Sequence, residues 1–259
     1  MPAPAEQDRN IAATFAKGMA VLEAFGGEAP ALTLAEIARI TGQDRATARR
    51  GALTLVHLGY LRQDGRQFSL TPKVLTLAGG FLQAHRIGRQ VQPVLNHHAA
   101  ALGVEITLAM RDGDHVLLLA QSTAHGGPVS YGFTPGSHLP LVHTSLGRML
   151  LAAEEPEGLA QRIAAVPLTP HTEQSLTDPE EIAKKVAEAR QAGFTLTDSE
   201  FEPGIVGLAV AAAPHVVLGS SVPRGRDGIK NGAEGLDALL RGLQNCASEL
   251  RLAGALSGL

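Results

Sequence analysis

Hydrophobic and polar positions divide the chain into segments of contrasting period. Phe15, Met19, Leu22 and Phe25 recur at spacings of four, three and three, the stripe of an amphipathic helix that Gly26 and Gly27 end. Thr33 and Glu36 stand three residues apart beside Leu34, Ile37 and Ala38, the pattern of a capping box opening a short second helix that stops at Thr41-Gly42. Asp44 then caps a third helix, whose inner stripe is Ala48, Ala52, Leu55 or Val56, and Leu58, with Gly59 at its C-terminal cap. Two alternating runs, Tyr60 to Gln63 and Arg66 to Leu70, flank Asp64-Gly65 and predict a tight hairpin.

Further along, Thr71-Pro72 supplies a cap and a first-turn proline for a helix carrying Val74, Leu75, Leu77, Ala78, Phe81 and Leu82. Another helix bears Val91, Val94, Leu95, Ala99 and Leu102 and ends at Gly103. Strands are expected over 104–110 and 116–120, about a turn at Arg111-Asp112-Gly113-Asp114. Helices follow over 144–153 and 178–191, the latter with Asp178, Pro179 and Glu181 as cap, first-turn proline and box partner. Strands return over 194–197, 206–213 and 216–222, and a closing helix over 231–256 sets Leu236, Leu239, Leu240, Leu243, Ala247 and Leu250 on one face. Helices flanking an antiparallel sheet make the second half an α+β domain. The expected organisation is a disordered tail over 1–10, a helical domain closed by a hairpin over 11–71, a linker helix over 72–86 and the α+β domain over 87–259.

Composition narrows the class. Of 259 residues 44% are hydrophobic but only 3% aromatic, without Trp, so the core must be built from Leu, Val, Ile and Ala. A single cysteine, Cys246, excludes an internal disulfide and any multi-thiolate metal site, and points to a cytoplasmic protein. Met1 to Asn10 lack the apolar run of a signal or transit peptide. One long stretch without Lys, Arg, Asp or Glu, Pro203 to Pro223, is broken by Pro214, His215 and several Gly and Ser residues, so two buried strands explain it better than a membrane span. The net charge of −3 is unevenly divided: ten basic against seven acidic residues through Arg86, twelve against eighteen from Ile87 onward. Between Arg39 and Lys73 seven basic residues face only Asp44 and Asp64, the footprint of a polyanion-binding face.

Two short helices joined by a Gly-containing turn form a candidate helix-turn-helix, whose second helix would enter a major groove. Arg45 and Arg49 lie one turn apart, with Thr47 and Arg50 beside them, and none belongs to the inner stripe. These residue types reach guanine edges, thymine methyls and phosphates. Arg62 and Arg66 flank the hairpin tip, placed to touch phosphate or the minor groove as a wing, and Thr33 completes the expected DNA-contacting set.

The segments FAKGMAVLEAF (Phe15 to Phe25), LTLAEIARITG (Leu32 to Gly42), Arg49-Arg50 with LTLVHLGY (Leu53 to Tyr60), and FSLTPKVLTL (Phe68 to Leu77) resemble the winged helix-turn-helix of IclR-type bacterial transcription regulators. Within that family they look most like the branch controlling breakdown of aromatic acids such as protocatechuate and 4-hydroxybenzoate. The resemblance implies binding to double-stranded operator DNA, a GAF-like C-terminal domain that binds a small carboxylate effector, and a first helix and linker helix packed against another subunit. A homodimer, or a dimer of dimers, is expected.

The resemblance extends to GSHLPLVHTSLGRMLL (Gly136 to Leu151), similar to the family's loop and helix start beneath the effector pocket. Thr144 and Ser145 at a helix N-terminus, followed by Gly147, offer free amides and a hydroxyl to a carboxylate, although a plain N-cap has the same appearance. Thr197, Asp198 and Glu200 before Gly204 resemble the family's acidic segment, with Asp198 accepting a ligand hydroxyl or serving structure. Ile205, Gly207 and Ala209 share one strand face and Gly219 and Ser221 another, and either set could border a cavity. The resemblance thus implies an effector site drawn from Gly136, Thr144, Ser145, Leu146, Thr197, Asp198, Gly207 and Ser221. Relatives carry a polar Asp and Gly turn between the last two strands, whereas Ala213-Pro214-His215 is all that remains here, leaving Ser220 as the alternative to Ser221.

Other chemistries have weaker support. His143-Thr144-Ser145-Leu146-Gly147 is one Gly short of a nucleophile elbow, so a serine hydrolase is not specified. His97-His98 and His138 with His143 lack helix-spaced ligand partners, and neither a phosphate loop nor a dinucleotide fingerprint is present. No catalysis, metal or cofactor is expected. The rival reading is a metabolite sensor that docks an acidic protein through its basic domain.

Overall fold

The computed structural model describes residues 10–27, 29–123, 133–225 and 233–259. The expected N-terminal tail therefore lies, but for Asn10, outside the described residues. Two compact units, Met1–Phe81 and Leu82–Leu259, divide the chain.

The first unit contains α1 (Ala13–Glu23), β1 (Leu32–Thr33), α2 (Leu34–Thr41), α3 (Arg45–His57), β2 (Leu61–Asp64), β3 (Gln67–Leu70) and most of α4 (Val74–Ala84). Its caps follow from local chemistry. The Glu36 carboxylate accepts the Thr33 N–H at 2.7 Å while Thr33 Oγ1 accepts the Glu36 N–H, closing a capping box on α2. Asp44 Oδ1 accepts the Thr47 N–H at 2.9 Å at the head of α3. A small core of Val21, Phe25, Ile37, Ala48, Ala52, Leu55, Leu61 and Phe68 holds the three helices to a three-stranded sheet of order β1-β3-β2.

Two details correct the periodicity. Val21 carries α1 into the core and Phe25 follows just past its end, while Phe15 is 71% exposed, because a stripe read from spacing does not say which part of it meets a partner. Leu58, placed in the inner stripe of α3, is likewise exposed. The hairpin turn is also one residue later than expected: Asp64 pairs with Gln67, leaving Gly65 and Arg66 as the loop. Gly65 has φ +57°, so the residue that tolerates a positive φ occupies the first loop position.

The second unit opens with a π-helical turn (Ile87–Val91) running into α5 (Gln92–Leu102). Then come β4 (Thr107–Asp112), β5 (His115–Gln121), β6 (His138–Pro140), α6 (Ser145–Ala153), α7 (Leu159–Ala165), α8 (Pro179–Ala192), β7 (Phe194–Asp198), β8 (Ile205–Ala213), β9 (Val216–Pro223) and α9 (Ala233–Leu252). The six strands form one antiparallel sheet of order β6-β5-β4-β9-β8-β7. Leu108, Leu208, Leu218 and Val222 pack on one face with Leu95 of α5 and Leu243, Ala247 and Leu250 of α9. Val116, Leu118, Ala209 and Val217 pack on the other with Leu150, Ile163, Ile182 and Val186 of the middle helices.

The α+β class and the flanking helices agree with the sequence reading. The short β6 and α7 were not foreseen, because three and seven residues are too few to establish a period. At the head of α8 Asp178 takes the Glu180 N–H rather than that of Glu181. The closing helix ends at Leu252, short of the expected Leu256, and its expected start at Asn231 lies outside the described residues. No described helix is long and apolar enough to cross a membrane.

Candidate nucleic-acid interface and ligand cavity

The helix-turn-helix candidate is α2 and α3. Successive residues of α3 turn by about 100°, so with Ala48, Ala52 and Leu55 buried, Ala46, Arg49, Arg50 and Leu53 fall on the opposite arc. Arg45, Arg49 and Arg50 are exposed, as are Arg62 and Arg66 of the hairpin. Among the described residues of this unit no arginine forms an ion pair with a carboxylate. Two groups are held in place: Arg50 donates to Thr47 Oγ1 at 3.4 Å, and Arg62 Nε to Ser69 Oγ at 2.8 Å across a rung of the hairpin. Thr47 in turn donates to Asp44 at 2.7 Å. Thr33 is half-buried with its hydroxyl engaged in the α2 cap. Lys73, counted in the basic segment, instead donates to the Leu58 carbonyl at 2.7 Å and lies 4.9 Å over the Tyr60 ring, so it tethers the end of α3.

In the second unit a cavity of about 80 Å³ opens on the sheet face below α6. Thr144, Ser145, Leu146, Thr197, Gly207 and Ser221 line it, six of the eight residues expected at an effector site. The sheet register explains the meeting: Thr197 on β7, Gly207 on β8 and Ser221 on β9 sit directly opposite one another in adjacent strands. Glycine at 207 leaves the space. A Cβ there would stand 2.7 Å from Ser145 Oγ and 2.8 Å from Thr197 Oγ1, so both hydroxyls point over the bare backbone. Gly147 has a different reason: a Cβ would lie 1.9 Å from the Leu141 carbonyl oxygen, which allows α6 to pack directly on the preceding segment.

Thr144 caps α6, accepting the Gly147 N–H at 3.1 Å and donating to the Pro140 carbonyl at 2.8 Å. Its hydroxyl is therefore engaged, and the groups left for a ligand are the first-turn amides and the Ser145 hydroxyl. Ser220 also borders the cavity, yet it pairs with Leu208, whose side chain packs on the far face, so strand alternation turns its hydroxyl away and decides between the two serines.

Gly136 and Asp198 are not brought to the cavity. Gly136 sits in the turn before β6, its N–H on the Leu118 carbonyl at 2.8 Å. Asp198 pairs with Arg224 and accepts from Ser199, and the Arg224 hydrogen bond holds its carboxyl below the usual carboxylate range. Here the structural alternative describes what the side chain touches.

Spacing alone also missed part of the wall. Glu105, Thr107, Leu118 and Gln121 come from β4, β5 and their flanks, Phe133 and Phe201 from loops, and His143 from the turn before α6. The two phenylalanines, 6.0 Å apart, were the available signal in a chain so poor in aromatics. Three glutamates, Glu105, Glu200 and Glu202, line the cavity. Arg148, 1% exposed, neutralises Glu200 through a two-pronged ion pair, Nη1 to Oε1 at 2.8 Å, and donates from Nε to the Val142 carbonyl. Burial pushes the carboxyls of Glu105 and Glu202 up, partly offset at Glu105 by a hydrogen bond from Gln121.

A winged helix-turn-helix bearing unpaired arginines, carried on the same chain as an α+β unit with a polar-lined cavity, defines a DNA-binding regulator with an effector domain. Comparison with known proteins gives the family. The chain matches the IclR helix-turn-helix domain over residues 14–65 and the bacterial transcriptional regulator IclR C-terminal domain over residues 80–251. It is 34% identical over 203 residues to the Pca regulon regulatory protein of Pseudomonas putida, covering 78% of this chain and 70% of that one. An IclR family transcriptional regulator from Brucella abortus superposes with TM-score 0.75 at 26% identity, covering 94% of each chain. The inducer-binding domain of a double mutant of the PobR transcription factor from Acinetobacter, complexed with 3-hydroxybenzoic acid, gives TM-score 0.57 at 26% identity over 62% of this chain and 94% of that one. The protein belongs to the IclR family of bacterial transcription regulators. These matches are to regulators, not enzymes, which agrees with the incomplete nucleophile elbow.

Proposed function

We propose that the cavity below α6 receives a small aromatic carboxylic acid, and that its binding changes how the N-terminal units of a homodimer, or a dimer of dimers, engage operator DNA. One observation carries this reading: residues distant in sequence, Ser145, Thr197, Gly207 and Ser221, converge on one cavity where the Ser145 hydroxyl, at the start of α6, stands over the bare backbone of Gly207. Free amides at a helix start favour an anion, and Phe133 and Phe201 provide apolar surface for a ring. The similarity to a Pca regulon regulator and to a 3-hydroxybenzoic acid complex supports the same class of ligand.

Two magnitudes shape the proposal. A cavity of about 150 Å³ takes benzene, so the roughly half-sized space here must widen for a ring. The glutamates oppose an anion, so acid binding is coupled to Glu105 or Glu202 holding a proton, and affinity declines as pH rises through their elevated range. Thermal-shift titration with benzoate, 3-hydroxybenzoate, 4-hydroxybenzoate, protocatechuate and aliphatic acids tests the class. A rise in melting temperature confined to aromatic acids is expected, since a ligand of the native state stabilises it. A response to aliphatic acids alone, or to none, overturns it.

The second subunit has a place in the same reading. Phe15 on α1 and Leu75 and Leu77 on α4 are more than half exposed, and Phe15, Met19, Leu22, Leu58 and Leu77 line an apolar groove. A second copy of the chain is the proposed occupant, and sedimentation as a stable monomer at micromolar concentration would contradict it. The effector can alter DNA binding only by favouring one arrangement of two DNA units over another. A mobility shift of the chain's own upstream DNA, with and without the acid, measures that difference.

A further inference from the structure

His143 stands in the cavity wall with one ring nitrogen occupied and the other not. It is 1% exposed, and its Nε2 lies 2.9 Å from the Leu176 carbonyl oxygen. A carbonyl only accepts, so Nε2 carries the hydrogen and, in the neutral ring, Nδ1 carries a lone pair. No described protein group is within hydrogen-bond reach of Nδ1. The ring is held edge to face against His171 at 5.1 Å, and His171 against Phe201 at 5.0 Å, so its orientation is set by packing on the aromatic side of the cavity.

We propose that His143 reads a phenolic hydroxyl on the bound ligand, Nδ1 accepting the hydroxyl hydrogen while Ser145 and the start of α6 receive the acid group. The inference rests on the proposed aromatic-acid reading of this cavity and narrows it to hydroxylated rings. A buried acceptor without a partner disfavours any occupant that covers it without donating, and a site arranged this way rejects the analogue lacking the hydroxyl. Burial holds the imidazole below its ordinary pKa, which keeps Nδ1 an acceptor at neutral pH.

Calorimetric titration of the full chain with benzoate, 3-hydroxybenzoate and 4-hydroxybenzoate tests this. At least one hydroxylated acid should bind the unsubstituted protein on the order of 10- to 100-fold more tightly than benzoate. H143F keeps a ring but removes the acceptor, so the preference should fall to near unity, through weaker binding of the hydroxylated acid and no weakening for benzoate, whose penalty for covering the acceptor is lifted. H143N places an amide oxygen close to the Nδ1 position and should recover part of the preference. A nitrogen-15 spectrum of the unsubstituted protein adds a readout independent of folding of the variants: the His143 Nδ1 resonance should move with the preferred hydroxylated acid and not with benzoate. An unchanged preference in H143F, equal loss for benzoate and the hydroxybenzoates, or an unmoved resonance overturns the role of His143 while leaving the aromatic-acid reading intact. Failure of all three acids to bind overturns that reading and this inference together.

Discussion

The two units use polar side chains in opposite ways. In the N-terminal unit the helix caps and the α3 threonine are satisfied close by: Thr33 with Glu36, Asp44 with Thr47, and Thr54 with the Arg50 carbonyl, all three or four residues apart. Among the described residues its arginines form no ion pair with a carboxylate. In the C-terminal unit the same residue types reach across the sequence, Arg148 to Glu200 over 52 positions and Thr195 to the Ser145 carbonyl over 50, and they are buried. A surface that must meet a polyanion leaves its cations unpaired, whereas a cavity that must keep its shape pairs its charges behind the wall. Function in the first unit therefore separates from stability, and in the second it does not.

Substitutions can break that contrast. The largest effect is expected at Arg148: R148M leaves the Glu200 carboxylate nearly buried without its partner, and unfolding in urea should show a loss of about 3–5 kcal/mol. G207A comes next. The new methyl meets Ser145 Oγ and Thr197 Oγ1, so a loss of about 1–3 kcal/mol in stability should accompany weakened acid binding in calorimetry. R49A and R50A should each reduce operator affinity by about 1–3 kcal/mol if the side chain reads a base. Their melting temperatures should stay unchanged, and unaltered DNA binding in both would remove the groove assignment.

The smallest effect is a pH slope. Burial lowers the folded pKa of His143 from the ordinary 6.5. Below that value the unfolded chain takes up a proton that the folded chain refuses, so stability falls as pH drops, by at most about 1.4 kcal/mol per unit for one group. The decline ends once pH passes below the folded pKa. The difference in unfolding free energy between the unsubstituted chain and H143F should therefore shrink from pH 7 to pH 5, and a constant difference would contradict a neutral buried ring.

How much could be read without coordinates follows the same division. The α2 capping box, the Asp44 cap and the hairpin were legible because each is a contact within a few residues, where spacing and residue type suffice. The turn at Gly65 slipped by one residue because alternation locates a hairpin but not which rung closes it. In the effector unit the residues of α6, β7, β8 and β9 were legible as a set, through helix-start chemistry and strand alternation aided by family resemblance. Asp198 was legible as an acid but not as the partner of Arg224, 26 residues away.

The amino-acid order by itself determined the local elements, their caps and the basic helix and wing, since these depend on interactions that a short segment makes with itself. Tertiary structure alone decided which faces are buried, that Ser221 rather than Ser220 turns toward α6, that Arg148 lies behind the wall paired to Glu200, and that one buried ring nitrogen of His143 has no hydrogen-bond partner among the described residues. The reason is that burial and register are properties of strands and helices meeting across large sequence separations, and the same side chain is a cap, a charge partner or a cavity wall according to what it meets.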